Sequence, residues 1–167
     1  MEEDLLKMIR IRPIEAADDP HMARLVRESL RRHGLDIPGT AYFDPELDHL
    51  SVHYALRPDR RAYFIAEGPA GRVLGGAGIG ELGGYPDCAE LQKIYVAPGA
   101  QRRGLGRALM ARAESRAKEL GYRRLYLETH SALAAAIRMY EALGYRRLAH
   151  SLSSLHGAMD HFYIKEL

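Results

Sequence analysis

Hydrophobic and polar residues alternate with two different periods along the chain. Segments with apolar residues three and four apart indicate amphipathic helices, and short runs of aliphatic and aromatic residues indicate strands. Helices are predicted from Asp18–Asp19 to Gly34, over 46–57, over 104–120, and from Ser131 to the residue before Gly144. Strands are predicted over 9–14, 62–67, 72–82, 89–96, 125–129, 146–150 and 161–164. This pattern predicts an α/β (α+β) fold in which about four helices flank a mixed sheet of six to seven strands.

Glycine and proline mark the ends of several predicted elements. Residues 68–71 (Gly-Pro-Ala-Gly) predict a hairpin turn, and residues 83–86 (Gly-Gly-Tyr-Pro) predict a break before the next strand. Gly121 is suited to end the third helix, and Ser131 is suited to cap the fourth.

Composition narrows the classes of function. The chain has 167 residues, 47% of them hydrophobic and 28% charged, which fits one globular domain spanning 1–167. A net charge of +2 argues against a nucleic-acid-binding surface that covers the whole molecule. No apolar run approaches the roughly 18 residues of a membrane span. The acidic start (Glu2, Glu3, Asp4) is unlike a secretory signal, and the lone Cys88 forms no internal disulfide, so a cytoplasmic protein without membrane or nucleic-acid partners is expected.

The most informative segment is a basic, glycine-containing turn between a predicted strand and the third helix. It reads Gln101-Arg102-Arg103-Gly104-Leu105-Gly106-Arg107. A helix N-terminus presents unpaired N–H groups and the positive end of the helix dipole, which together bind phosphate oxygens. Gly104 and Gly106 leave the backbone open to a ligand, and the arginines add positive charge. On spacing alone, an ordinary turn with solvated arginines is an equal alternative.

A second glycine pattern lies upstream, but it does not indicate a phosphate-binding site. Gly78-x-Gly80-x-x-Gly83 has the spacing of a dinucleotide-binding loop, but that motif requires a helix directly after it. A Gly-Tyr-Pro sequence and another predicted strand follow instead. The end of a glycine-rich hairpin is therefore the better interpretation.

Two motifs together resemble the GNAT superfamily of N-acetyltransferases. Gln101-x-x-Gly104-x-Gly106 matches the motif Q/R-x-x-G-x-G/A, and residues 136–145 (Ala-Ile-Arg-Met-Tyr-Glu-Ala-Leu-Gly-Tyr) match a second signature, A-I-x-L-Y-E-x-x-G-F. The strand order from residue 62 onward also fits, so the resemblance covers most of the chain. It implies a GNAT-like domain with a mostly antiparallel sheet, acetyl-CoA as acyl donor, no metal, and an amine acceptor. Residues 101–107 would hold the pyrophosphate, and backbone groups of Ile94 and Val96 would bind the pantetheine arm.

The resemblance also assigns catalytic roles. Tyr140 matches the family tyrosine that protonates the departing thiolate, although its place on an apolar helix face also suits a packed tyrosine with a satisfied hydroxyl. Glu90 matches the general-base glutamate of histone-acetyltransferase-like members, and spacing predicts it on the strand face of Gln92 and Ile94. Such a base needs a pKa raised by partial burial, and a surface glutamate is an equal alternative. Glu81 and a water molecule are the other candidates.

Three further features have open interpretations. Cys88 could carry an acetyl group in a covalent route, but a lone cysteine is usually a small hydrophobe. His49 and His53, four residues apart, could share a metal ion or line the acceptor pocket. His156 and Asp160 could face the acceptor or lie in a solvated loop.

The leading hypothesis is direct transfer, in a ternary complex, of the acetyl group of acetyl-CoA to a small amine, such as an amino acid or a polyamine-like molecule. Acetylation of a protein amine is the second hypothesis, and it requires an open groove beside the loop at 35–45. A non-catalytic acyl-CoA sensor is the third, and it would not need Tyr140.

Leu133 departs from the family pattern, in which an asparagine contacts the cofactor. The acceptor stays open because acceptor loops vary. The oligomeric state also stays open, with a homodimer as one option.

Overall fold

The computed structural model describes residues 6–167, so the acidic residues on which the signal-sequence expectation rests lie outside the described residues. The strands are β1 (Arg10–Pro13), β2 (Ala62–Glu67), β3 (Val73–Leu82), β4 (Tyr85–Val96), β5 (Arg124–Thr129), β6 (Arg146–Leu148) and β7 (His161–Glu166). The helices are α1 (Asp19–Arg32), α2 (Leu50–Ala55), α3 (Leu105–Glu119) and α4 (Ala134–Ala142). The predicted fold class, a mixed sheet flanked by helices, is confirmed.

The seven strands form one sheet in the order β1-β2-β3-β4-β5-β7-β6. Neighbouring strands pair antiparallel except for β4 and β5, which are parallel. The β4–β5 ladder joins Cys88 to Arg124, Ala89 to Leu125, and Glu90 to Tyr126. Both strands continue beyond Glu90 without pairing to each other, which leaves a gap in the middle of the sheet.

Helices cover both faces of the sheet. Successive strand residues point to opposite sides, and both sides carry apolar residues that must be buried. One face packs against α3 and α4 through buried side chains that include Ile79, Leu91, Leu125, Met110 and Tyr140. The other face packs against α1 and α2 through Met22, Leu30, Tyr54, Tyr63 and Ile65. No helix among residues 6–167 is both long enough and apolar enough to cross a lipid bilayer.

Glycines on β3 leave room for aromatic rings on the α1–α2 face. A Cβ atom at Gly78 would lie 2.5 Å from Cδ2 of Tyr63 and 2.9 Å from the hydroxyl of Tyr54. Gly78 and Gly80, the first glycines of the dinucleotide-like pattern, lie within β3, and β4 follows them instead of a helix. Their role is to let tyrosine and glutamine side chains lie flat on the sheet.

Three predicted boundaries were wrong. The turn after β3 contains only Gly83 and Gly84, and β4 already includes Pro86, which is tolerated near a strand start where its missing N–H is not needed. Ser131 does not cap α4, because its N–H and hydroxyl both donate to the carboxylate of Asp160, and the helix starts three residues later. The predicted helix over 46–57 is a short 3₁₀ turn (Leu47–His49) followed by α2.

Candidate active site

A cavity of about 970 Å³ opens at the gap between β4 and β5. One end is formed by the N-terminus of α3, with Gly104, Gly106 and Arg107. The other end, which we call the acceptor end, is lined by polar residues of the α1–α2 loop, β4, β5 and the β6–β7 loop: Asp44, Glu46, Glu90, Gln92, Lys93, Glu128 and His156. Tyr140 of α4 also lines this single cavity, so the predicted catalytic residues share one space with most of the residues predicted for cofactor binding.

The N-terminus of α3 has the backbone features of an anion site. Gly104 occupies the N-cap position with a φ of 80°, and Arg102 has a φ of 62°, so the turn passes twice through the left-handed region. No side chain caps the helix, which leaves the N–H groups of its first turn available. The side chain of Gln101 donates to the carbonyl of Val96 at 2.9 Å and ties the turn to β4. Arg102 and Arg107 line the cavity here.

The other predicted cofactor-binding residues have different surroundings. Ile94 and Val96 line the cavity. The side chain of Leu105 is 1% exposed and packs in the core beside Leu109, so only its backbone could contact a ligand. Arg103 is half-buried and does not line the cavity.

Gly106 serves helix packing as well as the cavity wall. A Cβ atom there would lie 3.1 Å from Sδ of Met139, so the glycine lets α3 and α4 approach closely. Leu133, which stands where family members have asparagine, lines the cavity directly before α4. The cavity wall at this point is therefore apolar.

Tyr140 is 4% exposed and packs near the rings of Tyr145 and Tyr163, with centroids 6.1 and 6.3 Å away. Its hydroxyl has no hydrogen-bond partner among the described residues, and the side chain lines the cavity. Burial raises the pKa of Tyr140, so the phenol stays protonated at neutral pH. It is thus a packed tyrosine that lines the cavity and keeps its phenolic proton.

Glu90 is the last paired residue of β4 before the gap and is 6% exposed. Its Oε1 accepts from Nε2 of Gln92 at 2.9 Å, and Oε1 of Gln92 in turn accepts from the hydroxyl of Tyr54 at 2.7 Å. Burial raises the pKa of Glu90, which outweighs the lowering by the Gln92 hydrogen bond. A buried carboxyl with a raised pKa, held by a chain of neutral donors, has the properties of a general base.

The predicted alternation along β4 holds for Gln92 and fails for Ile94. Lys93 has a φ of 49° at a register shift, where Gly78 pairs with Gln92 and Gly76 with Tyr95, so β4 contains one extra residue. Such a bulge reverses the facing of every residue after it. Ile94 consequently packs on the α3–α4 face, whereas Glu90 and Gln92 lie on the α1–α2 face.

The bulge directs Lys93 into a buried ion-pair network. The Lys93 side chain is 4% exposed, and its ammonium contacts Asp44 at 2.8 Å and Glu46 at 3.0 Å. Asp44 also accepts from Nε2 of His156 at 2.8 Å. The hydrogen bond to Asp44 raises the pKa of His156, which favours the imidazolium form.

These contacts join two loops over the acceptor end. Besides the His156–Asp44 pair, the N–H of Ala158 donates to the carbonyl of Gly39 at 3.2 Å. A Cβ atom on Gly39 would lie 2.9 Å from the Ala158 nitrogen, so the loops touch at backbone distance. We call these two contacts the acceptor roof. They join the α1–α2 loop to the β6–β7 loop, and Asp44 and His156 of the first contact line the cavity.

The other candidate residues are placed less favourably. Glu81 binds Arg61 at 2.6 Å, which lowers its pKa to about 2 and makes it a weak base. Cys88 is fully buried, and burial raises its pKa to about 11, so it is a poor nucleophile. His53 lines the cavity and His49 does not.

Asp160 binds Ser131 and lies outside the cavity lining, unlike His156. The described residues contain no group of three or more His, Cys, Asp or Glu side chains arranged to hold a metal ion.

Sequence reasoning missed Asp44, Glu46 and Lys93 because their contacts join loops and strands far apart in the chain. It also missed Glu128, whose Oε2 accepts from the hydroxyls of Tyr126 and Ser151. For Lys93 and Glu128 the available signal was a charged residue within a strand, since buried charges require partners. Asp44 and Glu46 lie in a loop and carried no such signal.

Known proteins resemble this chain in sequence and in fold. A family model described as the acetyltransferase (GNAT) family matches residues 22–145. The uncharacterized N-acetyltransferase YjgM of Escherichia coli (strain K12) is 38% identical over 144 residues, which cover 85% of this chain and 84% of that protein.

Solved structures agree on the fold. An acetyltransferase of the GNAT family from Staphylococcus aureus Mu50 has a TM-score of 0.80 at 18% identity, covering 95% of this chain and 98% of that one. YncA, a putative acetyltransferase from Salmonella typhimurium with its cofactor acetyl-CoA, has a TM-score of 0.73 at 23% identity, covering 95% and 93%.

Proposed function

Because the chain belongs to the acetyltransferase (GNAT) family and is by class an acyl-CoA-dependent N-acyltransferase, we propose that it transfers the acetyl group of acetyl-CoA directly to the primary amine of a small molecule. One observation carries the proposal: a single cavity joins the N-terminus of α3 to Tyr140 and Glu90. Cofactor and acceptor can then occupy it together, as a ternary complex requires. The described complex of YncA with acetyl-CoA supports the same donor.

The residues at the α3 end fit the cofactor. A pyrophosphate would meet the uncapped first turn of α3, the left-handed Gly104, and the side chains of Arg102 and Arg107. Gly106 adds no side chain to the cavity wall there. When bound, acetyl-CoA supplies an acetyl group activated as a thioester. No metal is needed in this proposal.

Two side chains of this chain would move protons. Glu90, with its raised pKa, accepts a proton from the acceptor ammonium, directly or through water, and so produces the neutral amine that attacks. Tyr140 keeps its proton at neutral pH and gives it to the departing thiolate. They lie on opposite faces of the sheet, and the gap between β4 and β5 connects those faces.

The acceptor roof favours a small molecule over a protein amine. An open groove would require free space beside the loop at 35–45, but that loop contacts the β6–β7 loop through Asp44 and Gly39. We further propose one domain over 1–167 and a cytoplasmic location, with acetyl-CoA and an amine as partners, and with a homodimer left open.

Calorimetric titration with acetyl-CoA tests the cofactor site. Binding in the micromolar range is expected for the wild-type protein, and Gly104→Glu should abolish it because a carboxylate would face the pyrophosphate. Gly99→Glu is the matched control, since Gly99 lies in the turn before α3 with nothing within 4 Å of its Cβ position. Absence of wild-type binding, or equal loss in both variants, would overturn the assignment. Thiol release with a panel of amines then tests transfer, which a non-catalytic sensor would not show.

A further inference from the structure

The charges at the acceptor end are unequal in number. Asp44, Glu46, Glu90 and Glu128 place four carboxylates there. The ammonium of Lys93 is bound by Asp44 and Glu46, and the imidazole of His156 is bound by Asp44. Glu90 and Glu128 are left without an ion-pair partner among the described residues.

These two glutamates share a second property that points to a ligand. Neutral groups hold one oxygen of each: the Gln92 amide binds Oε1 of Glu90, and the hydroxyls of Tyr126 and Ser151 bind Oε2 of Glu128. The second oxygen of each has no donor among the described residues, and both side chains line the cavity. Glu90 is more than nine-tenths buried, yet its second oxygen is not sealed off, because no fully buried side-chain oxygen of the described residues lacks a partner. That oxygen can accept from water or from a donor on a ligand in the cavity.

The strand register fixes the spacing between the two glutamates. Glu90 pairs with Tyr126, and Glu128 lies two residues further along β5 on the same face. With strands about 4.8 Å apart and a rise of about 3.3 Å per residue, the two Cα atoms are roughly 8 Å apart. A short chain with a positive charge at each end spans that separation.

Few cationic groups are available to a substrate carboxylate. Lys93 is already bound by two carboxylates, and the arginines that line the cavity, Arg102 and Arg107, belong to the α3 end. His33 and His53 also line the cavity, and burial lowers the pKa of His53, so that imidazole stays neutral at neutral pH. A carboxylate at the acceptor end would therefore face Glu90 and Glu128 without a free cation.

We propose that the acceptor is a short diamine, or a similar amine with a second cationic group and no carboxylate. This inference rests on the proposed function. Glu90 takes a proton from the reacting ammonium, the neutral nitrogen bonds to the acetyl carbon, the carbon–sulfur bond breaks, and Tyr140 protonates the thiolate. The acylated nitrogen gives up its remaining extra proton, through water, to the Tyr140 phenolate. The products are the amide and the free thiol, and Glu90 releases its proton to solvent. Glu128 binds the second ammonium, which stays charged throughout.

Three amines with the same four-carbon chain test the proposal: 1,4-diaminobutane, butylamine and 4-aminobutanoate, each with acetyl-CoA. We expect kcat/KM for the diamine to exceed that for butylamine by roughly tenfold to a hundredfold, the range of one charge-assisted hydrogen bond. The value for 4-aminobutanoate should be the lowest, because its carboxylate meets Glu128.

The ratio of kcat/KM for diamine over butylamine should fall by about tenfold in Glu128→Gln, which keeps size and loses charge. Glu28→Gln on the exposed side of α1 removes the same charge outside the cavity and should keep the wild-type ratio. Turnover of all three amines without preference for the diamine, or an unchanged ratio in Glu128→Gln, overturns the diamine assignment alone. Absence of turnover with every amine overturns the proposed function as well.

Discussion

A single methyl group added to β3 should raise the pKa of Glu90, the candidate base. In Gly80→Ala, the new Cβ atom would lie 3.0 Å from both Nε2 and Oε1 of Gln92, whereas ordinary contact begins at 3.4 Å. The Gln92 amide must therefore shift by about 0.4 Å. It is held on one side by the Tyr54 hydroxyl at 2.7 Å and on the other by Glu90 at 2.9 Å, so it cannot shift without weakening a hydrogen bond.

The expected magnitude follows from the bond to the carboxylate. A hydrogen bond to a charged group contributes about 1.5–3 kcal/mol, and partial loss of it corresponds to roughly a tenfold change in an ionisation constant. The Gln92 bond stabilises the ionised form of Glu90, so weakening it raises the pKa of Glu90 further. Because a base must be deprotonated, kcat/KM should fall about tenfold on the acid side and recover at alkaline pH.

The assay is thiol release from acetyl-CoA with a fixed amine, measured as kcat/KM against pH. Gly83→Ala is the matched control, since Gly83 ends the same hairpin and has nothing within 4 Å of its Cβ position. If the acid limb of folded Gly80→Ala superimposes on that of the wild type, or if Gly83→Ala shifts it equally, Glu90 is not the base held by Gln92.

Three other outcomes are expected. Tyr140→Phe should lower turnover by about 10²–10⁴-fold with little change in calorimetric affinity for acetyl-CoA, and an unchanged rate would remove Tyr140 from the mechanism. Cys88→Ala should keep its activity because the thiol is fully buried; loss of turnover with retained folding would revive a covalent route. Gly78→Ala should cost about 1–3 kcal/mol by overpacking Tyr63, and thus lower Tm by roughly 2–12 °C, as followed by thermal denaturation; a Tm equal to that of the wild type would contradict the close packing.

Local signals explain what could be predicted. The order of strands and helices follows from hydrophobic periodicity, and Gly104 and Tyr140 belong to motifs that occupy single turns or single helix faces. Periodicity was sufficient for the strands and helices because it depends on neighbours in the sequence. The roles predicted for Gly104 and Tyr140 came from the resemblance to the GNAT superfamily, since spacing alone also allowed an ordinary turn and a packed tyrosine.

The acceptor end could not be predicted in the same way. The pair of Lys93 with Asp44 joins residues 49 positions apart in the chain, and the bulge that directs Lys93 inward leaves no turn residue as a marker. Ser131 shows the same limit, because a distant carboxylate, Asp160, competes for the hydroxyl that would have capped the helix. Tertiary contacts decided each of these positions.

The bulge at Lys93 also gives β4 two independent halves. Before it, Glu90 and Gln92 line the acceptor end; after it, the alternation runs in the opposite phase, and Ile94 and Val96 line the part of the cavity proposed for the cofactor. Substitutions at Gln92 therefore change the acceptor end without changing the register of the donor half. Insertion or deletion of one residue at this position would instead invert the donor half and remove both functions together.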